Sequence, residues 1–246
     1  MIKKSTSHTF ANIGIGFSIM GIFSIYLIDN KYCTNFKLIL PAFTTFLGAV
    51  LAFRLNSLKD DKEELKKKKS ALNLALFVLA RQHNALQNIL KEIEPFRDKP
   101  NRAFSLPAIK PPEYNDLVQN FGDLSFLLDL DTNEIEILMK LTIVQEGFDV
   151  TKIALSSRNE MYIEELQKII SEKKLNGKNF TKEELVEIFG EKLFHGAIQG
   201  VDQIYKHVDF SAKEVPAAFS NLRCTAKKLF PKEKFIQVES LPETTK

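Results

Sequence analysis

The chain contains no tryptophan and only two cysteines. Two thiols cannot build a disulfide framework or a four-thiolate zinc site. Neither sign of charge is in excess: 34 Lys+Arg against 31 Asp+Glu leave +3 over 246 residues. This excludes the broad basic field of a nucleic-acid-binding domain and the acidic excess of a disordered one. No H-E-x-x-H, G-x-S-x-G or Walker sequence occurs. Gly14-x-Gly16 lies inside an apolar run, not between a strand and a helix, so it is no nucleotide loop. The histidines are His8, His83, His195 and His207. Glu191, His195 and Asp202 share a predicted helix, but they are too few to hold a metal. Cys224, near Arg223, Lys227 and Lys228, reads as a structural thiol, and that basic helix end with Lys232 and Lys234 reads as solvated. These absences predict a non-enzymatic protein with no cofactor, no metal and no nucleic-acid partner.

What is present is strongly asymmetric. The mean hydropathy of −0.12 averages an apolar first 55 residues with an ordinary remainder. Residues 10–28, FANIGIGFSIMGIFSIYLI, carry no charge and span about 28 Å as a helix. Residues 38–53, LILPAFTTFLGAVLAF, are also uncharged and span about 24 Å, with Pro41 in the expected first turn. Lys37 and Arg54 must snorkel to match such a short segment to a bilayer. The first run is too long for a signal peptide and lacks a small-x-small cleavage pattern after Ile28. Residues 1–55 therefore read as a transmembrane hairpin, with a short connection from Asp29 to Lys37. Nine Lys/Arg near the two ends of the hairpin, against Lys31 and Lys37 in the connection, place both termini in the cytoplasm. Cys33 then faces outward and Cys224 inward. The expected location is a membrane, crossed twice.

Gly14, Ser18 and Gly21 share one face of the first span, and Thr44, Gly48 and Ala52 share one face of the second. Small residues at this spacing let helix backbones approach closely. The preferred reading packs the two stripes against each other; the alternative joins copies of the chain. Neither span contains Asp, Glu, Lys, Arg or His, which argues against a proton relay or voltage sensor.

Nothing stops the second helix before Pro95. Leu51, Leu58, Leu65, Leu72, Leu79, Leu86 and Ile93 recur every seven residues. The companion positions Leu55, Lys62, Lys69, Leu76, His83 and Leu90 are mixed, so residues 56–94 read as a stalk with a weak coiled-coil seam. Lys66 to Lys69 read as a solvated face: about 20 Å of helix past Phe53 exceeds a Debye length of about 8 Å. Residues 95–112 carry five prolines and read as an extended strap, with Phe96, Phe104, Leu106 and Ile109 packing on something.

Residues 113–230 read as a cytoplasmic helical bundle. A first helix is expected over 113–130, with Leu117, Phe121, Leu124, Leu127 and Leu128 on one face. A second is expected over 134–175, breaking near Ser156-Ser157 and ending at Asn176-Gly177. A third opens at Thr181, with Glu184 completing a capping box, and runs to about His207. Ser211 and Glu214 repeat that signature for a last helix stopped by Pro231. Residues 231–246 read as a loose tail. The fold class is all-α.

The segments Lys99-Pro100-Asn101-Arg102-Ala103-Phe104, Leu106-Pro107, Asp123-Leu124-Ser125-Phe126-Leu127-Leu128, Gln145-Glu146-Gly147-Phe148 and Arg158-Asn159 resemble a loose group of uncharacterised bacterial inner-membrane proteins with two N-terminal spans and a helical cytoplasmic domain. The resemblance implies a bacterial source and the same two-span layout, and no catalytic residue. The polar members of these motifs are read as capping helices and tying the strap down. The functional reading is a non-enzymatic membrane-anchored scaffold or sensor, with the lipid bilayer and a protein partner or homo-oligomer as its partners. The alternative is a membrane-perturbing effector, such as those in bacterial phage defence.

Overall fold

A computed structural model describes residues 33–113, 117–129, 132–175 and 180–238. Among these residues the architecture is all-helical, with no strand. Helix α1 runs Cys33–Ile93 and a 3-10 turn, Glu94–Phe96, ends it at Pro95. The strap holds one short helix, α2, Arg102–Ser105. A 3-10 turn spans Ser125–Asp129. Helix α3 runs Thr132–Met161, passes through a π-helical turn at Tyr162–Leu166 and continues as α4, Gln167–Glu172. Helices α5, Lys182–Phe189, and α6, Glu191–Leu229, complete the order.

The chain divides into two compact units, residues 1–64 and 65–246. In the first unit, α1 begins at Cys33, so residues 33–37 are helical rather than part of a connection. Pro41 therefore lies inside the helix and not in its first turn; the hydroxyls of Thr44 and Thr45 donate to its carbonyl at 2.9 and 2.8 Å. The expected span at 10–28, with Gly14, Ser18 and Gly21, lies outside the described residues. Among the described residues no helix is long and apolar enough to cross a membrane.

In the second unit the leucine seam changes role. Leu58 and Leu65 are exposed, whereas Leu72, Leu79, Leu86 and Ile93 are fully buried. Residues 72–93 are thus not a stalk but a core helix of the bundle. They pack with α3 and α6 in two apolar clusters. One gathers Leu72, Leu79, Leu127, Phe148, Val215 and Leu222; the other gathers Ile93, Leu106, Leu155, Phe189, Phe194 and Val208. Each buried leucine or phenylalanine contributes about 1.5–3 kcal/mol of transfer free energy.

Over the described residues 117–129 the expected α-helix does not form. Leu117 and Leu124 are buried as foreseen, but the backbone runs through turns. Side chains take over its hydrogen bonds: Gln82 Nε2 donates to the Leu117 carbonyl at 2.7 Å, and the Gln119 amide donates to Gln145 Oε1 at 3.1 Å. Pro111-Pro112, Gly122 and the Asn120–Asp123 contact at 2.9 Å favour turns over propagation.

Helix α3 does not break at Ser156-Ser157, because Thr151, Leu155 and Arg158 anchor it on both sides of that pair. The α3–α4 run ends before Asn176-Gly177, in a Schellman arrangement at Lys174. That residue takes φ 48°, the Leu175 amide reaches Ile170 O at 3.0 Å, and the Lys174 amide reaches Ser171 O at 3.2 Å. The Thr181–Glu184 capping box forms, with reciprocal bonds of 3.3 and 2.7 Å. That helix stops at Gly190, φ 77° and ψ 153°, and the next one runs unbroken through His207 and Pro216 to Leu229. Ser211 is no N-cap: it is buried inside α6 and its hydroxyl meets Thr151 Oγ1 at 3.1 Å.

Residues 231–238, expected to be loose, are pinned. Phe235 is buried, the Ile236 amide donates to Asn73 Oδ1 at 3.3 Å, and Glu233 pairs with Lys69 at 2.8 Å.

Candidate functional site

Two places in the described residues combine specific chemistry with an unusual environment. The first is the seat of the strap. Arg158 is 2% exposed. Its Nη1 donates to the Pro107 carbonyl at 2.8 Å, and its Nη2 to the carbonyls of Leu106 and, at 3.5 Å, Ala103. The guanidinium also lies 4.3 Å from the Tyr162 ring centroid. Burial pushes its pKa down to about 10, so it stays a cation at neutral pH. Asn159 holds the Ile109 backbone from both sides: Nδ2 donates to its carbonyl at 2.6 Å, and Oδ1 accepts from its amide at 3.0 Å. Arg158 and Asn159 therefore tie the strap down, as the motif reading expected.

The near end of the strap is held by charge and rings. Arg97 makes a bidentate pair with Asp209 at 2.9 and 2.8 Å and reaches Glu94 at 2.9 Å; the bonds to Asp209 hold its proton more firmly than usual. Arg102 pairs with Asp202 at 2.7 Å, which takes Asp202 away from any constellation with Glu191 and His195. Both guanidiniums lie over the Tyr205 ring, whose hydroxyl donates to Ile93 O at 2.8 Å. Burial raises the Tyr205 pKa. Phe104 stacks on Phe189 and Phe194 at 4.8 and 5.6 Å.

Beside this seat an open groove of about 400 Å³ runs between α3 and α6. Ile153, Ser157, Met161, Gly200, Gln203 and His207 are among its lining. His207 Nε2 donates to Gln203 Oε1 at 2.9 Å, and burial followed by the Lys206 charge lowers its pKa. The lining holds no carboxylate to orient that imidazole. The groove is open to solvent. His195 is exposed, His83 is buried with Nδ1 unpartnered, and Cys224 is a half-buried free thiol. Among the described residues no three His, Cys, Asp or Glu side chains converge for a metal.

The second place is the exposed part of α1. Phe43, Phe46, Val50 and Phe53 are 49%, 65%, 39% and 76% exposed. Their spacing of three, four and three puts all four on one helical face. Thr44, Gly48 and Ala52 are also exposed, and a side chain at Gly48 would meet no atom within 4 Å. Leu58 and Leu65 are likewise exposed. Gln82, Gln119 and Thr151 are among the buried polar residues that the sequence reading passed over. Comparison with protein-family models, curated proteins and solved structures gives no match to this chain.

Proposed function

We propose that this chain is a membrane-anchored interaction protein, held in a bacterial inner membrane by spans at 10–28 and 38–53 with both termini cytoplasmic. The helical unit 65–238 is its interaction body, and the reading assigns it no enzymatic step. The observation that supports this most is the row Phe43, Phe46, Val50 and Phe53. Four large apolar side chains left uncovered on one helix face mark contact with lipid or protein. The uncharged run from Leu38 to Phe53, closed by Arg54, is consistent with lipid as that contact.

The native cysteines report on this directly. In intact cells a membrane-impermeant maleimide should label Cys33 and should reach Cys224 only after permeabilisation, and alkaline carbonate should leave the chain in the pellet. Extraction by carbonate, or labelling of both thiols from one side, overturns the reading. Depolarisation on expression of the full chain, absent when residues 1–55 are deleted, would replace it with the membrane-perturbing effector.

A further inference from the structure

We infer that the exposed part of α1 pairs with the same helix of a second copy, side by side and parallel. Thr44, Leu51, Leu58 and Leu65 are spaced by seven, and Gly48, Leu55 and Lys62 interleave with them at alternating gaps of four and three. Together they form one uninterrupted heptad seam over three repeats. Leu55, Leu58 and Leu65 are 66%, 44% and 47% exposed, so among the described residues nothing covers this part of the seam. The aromatic row at 43, 46, 50 and 53 occupies the positions away from the seam. The helix therefore presents two different apolar faces, and the seam continues at Leu55, Leu58 and Leu65 past Arg54, beyond the expected span.

The flanking charges favour a second copy as occupant. Asp61 precedes the inner position Lys62, and Lys66 follows the inner position Leu65. In a parallel two-stranded pair these flanking positions, five residues apart, meet across the interface, so Asp61 of each copy faces Lys66 of the other. Neither Asp61 nor Lys66 has an ion pair within the described residues. The like-charged set Arg54 and Lys59 is softened because Lys59 lies 3.8 Å from its own Glu63. Lys62 is the one charged residue on the seam, and a single lysine at such a position selects register and strand number. Parallel alignment rests on the membrane reading, since both copies then leave the bilayer on the same side.

The test uses the full chain with Cys33→Ser and Cys224→Ser, oxidised in native membranes. Leu58→Cys should give a covalent dimer at least tenfold more than Asp60→Cys, which lies on the opposite face, and Leu65→Cys should repeat it as a second seam position. Adding Gly48→Leu should lower the Leu58→Cys yield. Equal crosslinking at 58 and 60, no dimer at either 58 or 65, or a product with the mass of another protein overturns the pairing. A crosslink that needs Leu55→Cys mixed with Leu58→Cys would show antiparallel pairing and also overturns it. Carbonate treatment of the same samples separates the two readings. Crosslinked but extractable chains fail the membrane reading alone; pelleted chains without crosslink fail the pairing alone.

Discussion

Arg158 Nη1 donates to the carbonyl of Pro107 at 2.8 Å from inside the bundle, and among the described residues no carboxylate answers its charge. The cation is instead satisfied by backbone oxygens and by the face of Tyr162. This makes Arg158 an organiser of the strap rather than half of an ion pair.

Arg158→Ala leaves the Leu106 and Pro107 carbonyls without their donor and should destabilise the bundle by about 3 kcal/mol. Arg158→Lys should recover little, because an ammonium cannot reproduce the guanidinium fork. Asn159→Asp keeps the size but turns a donor toward the Ile109 carbonyl into an acceptor, at a cost of about 1–2 kcal/mol. The double variant should cost less than the sum, since both residues hold one segment. Thermal unfolding of the purified chain measures all four.

The two halves of the leucine seam should respond oppositely to truncation. Leu79→Ala and Leu86→Ala remove side chains from a packed core and should each cost about 2–5 kcal/mol. Leu58→Ala and Leu65→Ala should change unfolding of the bundle by no more than about 0.5 kcal/mol. Equal losses at 58 and 79 would contradict the burial pattern.

Gly190 takes φ 77° and ψ 153°, a region open to glycine almost alone, and no atom lies within 4 Å of where a Cβ would sit. Gly190→Ala should therefore cost about 1–3 kcal/mol through the backbone only. Chemical denaturation should show an unchanged slope with a lower midpoint.

His83 is buried, and desolvation lowers its pKa below 6.5; His207 is shifted the same way. The unfolded chain thus binds protons more readily than the folded one. Stability should be level above the unfolded value, fall as pH drops through 6.5, and level again once the folded values are passed. His83→Leu should flatten part of that acid-side slope in unfolding measured from pH 8 to pH 4.5. A slope unchanged by the substitution would exclude His83 as its source.

The elements that read correctly from sequence are those where local pattern and packing agree. The capping box at Thr181 and Glu184 and the stop at Pro95 are set by nearby residues. The errors came where distant side chains decided. Residues 117–119 have helical spacing, yet Gln82 and Gln145 hold their backbone in a turn. Ser211 and Glu214 spell a capping signature, yet Thr151 and the surrounding apolar contacts keep α6 continuous through Pro216. The strap seat was only half legible. Arg158 lies three residues after Leu155 and four before Tyr162, on the very stripe read as apolar, as Thr151 does after Phe148. A polar residue on a core stripe was the available signal; which backbone it would hold was not encoded nearby.

The strap also sets an order of events during synthesis. Leu106 and Ile109 leave the ribosome some 50 residues before Arg158 and Asn159, and farther still before the Asp202 and Asp209 carboxylates that hold Arg102 and Arg97. A nascent chain ending short of these residues has nowhere to seat its prolines. The bundle must therefore close late and as a whole, and truncated products should be handled by the cell as unfinished.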